Sequence, residues 1–297
     1  MSKICSIALF ILALSSFQAV THSAPLALLG GTKIRSLASV NTVSIDERSP
    51  AVPYPMVEYD TKKLLSDGTI KCIEDPSVFK EDDKRVFEKR LEDVVLGDKI
   101  AAGSNNFGIW MLTHDYKGYH KSDLIVKILP VAGPKSYGEV KALRIMGLLV
   151  ESGEIKVNEI RVPHFEMLPK DLEGKSFYPA IIMKKMPGKL LRETDLFKAA
   201  GPKEQLAVEE QVIDWSCKRA VKDAITHKVY HDDNNLANTL VTVSDGAIKA
   251  VDLVDYGSPG TYLVMKEVEE EKLYDMCSAK AHGKLKKSHL LRMFGHP

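Results

Sequence analysis

Tyr230-His231-Asp232-Asp233-Asn234-Asn235-Leu236-Ala237-Asn238 lies between a long amphipathic segment and a short apolar run. It sets an Asp two residues after a His and an Asn five residues after that Asp. Moving a phosphoryl group requires a carboxylate to orient the attacking hydroxyl and a nearby amide oxygen to hold a divalent cation. A short loop with this spacing can supply both. Asp and Asn are also common turn residues, so the reading depends on what lies around the loop.

Upstream, Glu204 to His227 carries apolar residues at helical spacing, among them Leu206, Val208, Val212, Ile213, Ala220, Val221 and Ala224, and predicts one long helix. Downstream, Thr239 to Val243 and Ala247 to Val251 predict two short strands around a Ser244-Asp245-Gly246 turn. Nearer the N-terminus the pattern predicts a helix from Ser77 to Asp93 and strands over Val94–Ala102, Gly108–Asp115 and Asp123–Leu129. A second helix follows over Gly138–Leu149, then apolar runs at Ile160–Val162 and Phe177–Met183. Together these make a sheet of about five strands with one inserted helix. Val264 to Met276 predicts a last helix. Sheet first and helices later is an α+β arrangement.

Within that frame, Lys127 stands in Leu124-Ile125-Val126-Lys127-Ile128. A cation inside an apolar strand is costly unless something pairs with it. Gly103 and Gly108 bracket a turn between two predicted strands, where glycine allows backbone N–H groups to close on a phosphate.

The His231-x-Asp233-x-x-x-x-Asn238 spacing resembles the catalytic loop of the protein-kinase-like superfamily. Gly103-Ser104-Asn105-Asn106-Phe107-Gly108 resembles its glycine-rich loop, with Asn105 in place of the second glycine. Lys127 matches its third-strand lysine, and Glu139-Val140-Lys141-Ala142-Leu143 is similar to the helix that partners that lysine, with Glu151 as the fallback partner. Ala180 to Gly188 is similar to the hinge. For the metal-binding Asp two residues compete: Asp255-Tyr256-Gly257 has the closer literal match, and Asp252 has the strand-end position, which is preferred. The resemblance spans residues 94 to 257.

It implies a two-lobed fold, with an N-lobe of antiparallel sheet plus one helix and a short, mainly helical C-lobe. ATP would lie under Gly103, Asn105 and Gly108, its phosphates gripped by Lys127 with support from Glu139. Mg²⁺ would be held by Asn238 and Asp252. Asp233 would orient or deprotonate an acceptor hydroxyl, and His231 would brace the loop. Asp232 has no implied catalytic role, and Asn234 and Asn235 are unassigned. Only 40 residues follow Gly257, and no activation segment or peptide platform is recognisable in them. The implied activity is transfer of the ATP γ-phosphoryl group to a protein or small molecule by a minimal, atypical kinase. The alternatives are a pseudokinase acting as a protein-binding module and a kinase fold running another nucleotide reaction.

Composition sets the outer bounds. The 297 residues are 27% charged and 44% apolar with a net charge of +1, so no global field points to nucleic acid or an anionic membrane. Lys3 followed by the apolar run Ile4–Leu14 and small residues to Ala24 predicts a secretory signal peptide over 1–24, and hence a secreted chain with no membrane span. Residues 25–75, broken by Pro53 and Pro55, predict a processed or loosely attached extension. The N-lobe and its preceding helix are placed at 76–186 and the truncated C-lobe at 187–297. Cys72, Cys217 and Cys277 allow one internal bridge. Cys217 reads as a buried small hydrophobe, which leaves Cys72–Cys277 as the pairing to test. No metal-ligand spacing of Cys or His supports zinc.

Overall fold

The computed structural model describes residues 60–101, 106–156 and 176–293. The expected signal peptide, the extension up to residue 59, Gly103, Asn105 and Ile160–Val162 lie outside the described residues. Among the described residues the fold is α+β, with three antiparallel sheets and six α-helices.

The largest sheet has the order β2 (Leu96–Ala101), β3 (Gly108–Leu112), β4 (Leu124–Ile128), β6 (Phe177–Lys184), β5 (Leu149–Lys156). The chain inserts α3 (Pro134–Ile145) between β4 and β5. Alternation along β4 gives the sheet two distinct faces. Val126 and Ile128 pack on one side with Phe107, Leu112 and Ile182. Lys127 lies between them and is in register with Ile181, which packs on the other side with Val140 and Leu143 of α3.

The second half is built on α5 (Pro202–His227), which starts with Pro202 in its first turn and ends at Lys228 in the left-handed region. Gly201 and Pro202 open the helix in the expected asymmetric way. α5 packs on β8 (Val229–His231), β10 (Ala247–Leu253) and α6 (Glu270–Met293). β10 pairs with β9 (Thr239–Ser244), which pairs in turn with β7 (Lys189–Leu190). Val221, Ala224, Tyr230, Leu253, Leu273 and Met276 share one buried cluster with Ile181, Val140 and Leu143, so a continuous core runs from sheet to helices. Each fully buried Leu, Ile or Val contributes about 1.5–3 kcal/mol.

Five expectations are corrected. The segment 60–75 is not loosely attached: α1 (Thr61–Ser66) and β1 (Ile70–Cys72) bury Leu64, Ile70 and Ile73 in the same core. β1 pairs with β11 (Thr261–Val264), which pairs with β8, so this segment is tied by backbone bonds to the strand that ends at His231. The helix expected over 77–93 is reduced to a 3-10 turn at Pro76–Val78 and one turn, α2 (Glu81–Lys84). Tertiary bonds override its helical spacing. Asp83 is buried against Lys141 and Arg144 of α3, and the following residues run along β5, where Leu91 N–H donates to Glu154 O at 2.9 Å.

The fifth strand of the sheet is β5, ahead of the Ile160–Val162 run expected to supply it. The last helix begins at Glu270, because Thr261–Val264 is drawn into the sheet beside β8. The cysteine pairing also differs. Cys277 bonds to Cys217, with Cα atoms 5.6 Å apart, because α5 and α6 lie side by side.

Candidate functional site

Lys127 and Glu139 meet as the paired-cation argument requires. β4 delivers the lysine and the first half of α3 delivers the carboxylate, and Nζ donates to Glu139 Oε1 at 2.7 Å with both groups buried. A second carboxylate joins them: Asp255 Oδ1 accepts from the same Nζ at 2.8 Å. Burial works against the Lys127 ammonium, but Glu139 and Asp255 outweigh it and hold the group protonated, above the usual lysine range. Burial also raises the Glu139 carboxyl, which Lys127 only partly reverses. Glu151, the fallback partner, lies elsewhere, held by Lys89, Lys117 and Tyr116.

Asp255 sits in the left-handed region, at φ 64°. Few residues other than glycine adopt it, and Asp and Asn do so most readily. This bend aims the carboxylate back at β4.

The strand-end position read for Asp252 is corrected. β10 runs on to Leu253, so Asp252 is inside the strand and not at its end. Its Oδ1 accepts from Arg219 Nη1 of α5 at 2.8 Å. Arg219 also binds both oxygens of Asp223, which accepts from Tyr256 Oη. Burial pushes Asp223 up, against the pull of Arg219. Asp252 thus belongs to a buried network that fastens β10 to α5.

The loop after β8 is ordered by its own side chains. Asn238 Nδ2 donates to Asp233 Oδ2 at 3.0 Å and to the Asp233 carbonyl at 3.2 Å. His231 Nε2 contacts the carbonyls of Val254 and Asp255 at 3.1 and 3.2 Å. Two carbonyl acceptors require that this nitrogen carry the hydrogen. The His thereby ties the loop to the segment holding Asp255. Val254 N–H donates to Asn238 O at 3.0 Å, a second tie between the same segments. Gly260, at φ 114°, passes beneath the loop, where an added Cβ would lie 2.6 Å from Asp233 Cβ; only glycine fits such a close approach.

Asp232, given no role from sequence, is a buried anchor. It accepts from Thr61 Oγ1 of α1 at 3.0 Å, from Tyr230 Oη at 3.2 Å and from Lys280 of α6. Asn234 is equally structural, donating to Cys277 Sγ at 2.8 Å. One turn beyond Lys280, Lys284 Nζ donates to Asp233 Oδ1 at 3.2 Å. These α6 lysines escaped the sequence reading, since charge on a C-terminal helix has no local signature of a partner 50 residues away in the chain.

Of the glycine-rich turn, the described part is Asn106 to Gly108. Phe107 N–H donates to Ile128 O at 2.8 Å, Asn106 Oδ1 accepts from Gly108 N–H at 2.8 Å, and Gly108 has φ 120°. This places the end of the turn directly beside the strand of Lys127. Gly103 and Asn105 are outside the described residues.

Two concavities, of about 390 and 450 Å³, lie around Glu151 at the β5 edge of the sheet, and Lys127 lines neither. Both are rimmed by charges already engaged in ion pairs, such as Lys89 and Lys117.

Among the described residues no three His, Cys, Asp or Glu side chains converge as a metal site. Magnesium usually takes only one or two protein oxygens and completes its shell with phosphates and water. Asn238 and Asp255 fit that modest donor set. Among the described residues no helix is long and apolar enough to cross a membrane. Compared with known proteins, the sequence matches no family model and no curated protein.

Proposed function

We propose that the chain is a kinase-like phosphotransferase that moves the γ-phosphoryl group of ATP to a hydroxyl of a protein or small molecule. On this reading the five-stranded sheet with α3 is one lobe of a protein-kinase-like fold, and α4 (Asp195–Ala199) to α6 with the β9–β10 hairpin form the other. The observation that carries the reading is Lys127 bound at once by Glu139 and Asp255, at 2.7 and 2.8 Å. One buried cation shared by two carboxylates, one of them half-exposed, is poised to exchange a carboxylate contact for a phosphate.

Lys127 would grip the phosphates and Glu139 would hold it extended. Asn238 and Asp255, rather than Asp252, would hold Mg²⁺, which when bound offsets phosphate charge. Asp233 would accept the proton of the acceptor hydroxyl, its free rotation limited by Asn238. Positioning and charge carry this chemistry. The Cys217–Cys277 bridge supports an oxidising compartment, in keeping with the secretion expected from residues 1–24.

The test is transfer of label from γ-labelled ATP with Mg²⁺ to solvent or acceptor. Asp255→Asn should lower the rate roughly 10³-fold, whereas Asp252→Asn should act only through stability. Equal loss from both would deny Asp255 its distinct role, and no transfer by the wild type would leave a binding module in place of an enzyme.

A further inference from the structure

Cys277, Lys280 and Lys284 fall at i, i+3 and i+7 of α6, one face of the helix. That face meets three consecutive residues of the loop: Cys277 contacts Asn234, Lys280 binds Asp232, and Lys284 binds Asp233. The disulfide to α5 fixes the same face. The first two contacts are buried on the loop side, Asn234 and Asp232 being 4% exposed each, and they read as anchorage. The third differs. Lys284 and Asp233 are both about half-exposed, with side chains 46% and 41% accessible.

A flexible ammonium one turn beyond two anchors of its helix, at the edge of the proposed base, is placed to meet a substrate. The loop itself carries no cation between Asp233 and Asn238, and Lys127 is committed to Glu139 and Asp255 on the nucleotide side. Phosphoryl transfer spreads negative charge over the oxygens of the group in flight, between the leaving and attacking oxygens.

We infer that Lys284 is a catalytic residue that supplies the acceptor-side cation for this transfer, a role resting on the phosphotransferase reading above. The acceptor hydroxyl forms its bond to the γ-phosphorus as the bond from phosphorus to the β,γ-bridging oxygen breaks. ADP leaves with that electron pair, and the hydroxyl proton passes to Asp233. Lys284 leaves Asp233 Oδ1 as that proton arrives and turns to the equatorial phosphoryl oxygens. Lys280 stays on Asp232 throughout.

The test uses the full chain, Mg²⁺-ATP and water as acceptor, with ADP release and thermal unfolding read side by side for wild type, Lys284→Ala and Lys284→Arg. The expected result is a ligand-induced rise in melting temperature in all three. ADP release should fall about 10²-fold in Lys284→Ala and recover in part in Lys284→Arg. Because Lys284→Arg keeps the charge beside Asp233, it should share the acid limb of the rate profile with the wild type. Unchanged or faster release in Lys284→Ala overturns the inference while leaving the nucleotide reading intact. A wild type that shows no ligand-induced rise, or binds without turnover, overturns both the inference and that reading.

Discussion

Two charge clusters of the chain are balanced in opposite ways. Around Lys127 one cation serves two carboxylates, Glu139 and Asp255, and the cluster is left with one negative charge uncompensated. Around the loop two carboxylates, Asp232 and Asp233, are each met by a lysine of α6. The first cluster, buried except at Asp255, is assembled by β4, α3 and the turn after β10; the second is clamped by a helix held by a disulfide. On the proposed reading, the charge missing at the first is supplied by a metal ion, while the loop is neutralised by the protein itself. On that reading the uncompensated carboxylate is where a ligand belongs, and the buried Asp232 is what stays rigid.

The comparison breaks first at Lys127. Lys127→Ala strands a buried Glu139 and should cost about 3–5 kcal/mol of stability in denaturant unfolding. Adding Glu139→Gln should return part of that loss, since the two effects share one contact. Additive losses would mean the pair is not coupled. Loss of the interhelical bridge comes next. Cys217→Ser with Cys277→Ser should cost about 2–4 kcal/mol and loosen the loop cluster, while the Mg²⁺-ATP effect on melting persists. Hydrogen exchange concentrated in α3 instead of α6 and the loop would contradict this division.

The smallest effect is at Asp83. Burial alone would raise its carboxyl, but the Lys141 hydrogen bond, the Lys80 N–H and the Arg144 charge hold it below the usual 3.8. A depressed carboxyl stabilises the fold above the unfolded value and loses that contribution as pH falls through the folded one. Wild type should therefore exceed Asp83→Asn in stability by a constant margin above about pH 4, and the margin should shrink below it. A margin that grows in acid would refute the assignment.

How far the sequence reached follows the same division. Lys127 with Glu139, and Asp233 with Asn238, were legible because each partner sits on an element whose local pattern is strong: an apolar strand with one cation, a helix of regular spacing, a loop of fixed length. The apolar run that predicts β10 ends at Val251 and so puts Asp252 at a strand end, although Leu253 is fully buried and extends the strand past Asp252. Charge and prolines make residues 25–75 read as an extension, yet Leu64, Ile70 and Ile73 each fill the core. The buried positions of α6, Leu273, Met276, Cys277, Ala281 and Leu285, are thinned by charge, which hid its length. Its disulfide depended on helix packing that no spacing of three cysteines encodes.

The central claim is that Lys127 and Asp255 form the nucleotide end of the site, with Asp252 outside it. Thermal unfolding with and without saturating Mg²⁺-ATP tests this directly in wild type, Asp255→Asn and Asp252→Asn. A ligand that binds only the folded chain raises the melting temperature by mass action. The predicted result is a rise of about 5 °C in wild type, kept in Asp252→Asn and lost in Asp255→Asn. A rise that survives Asp255→Asn but disappears in Asp252→Asn, or no rise in the wild type, would contradict it.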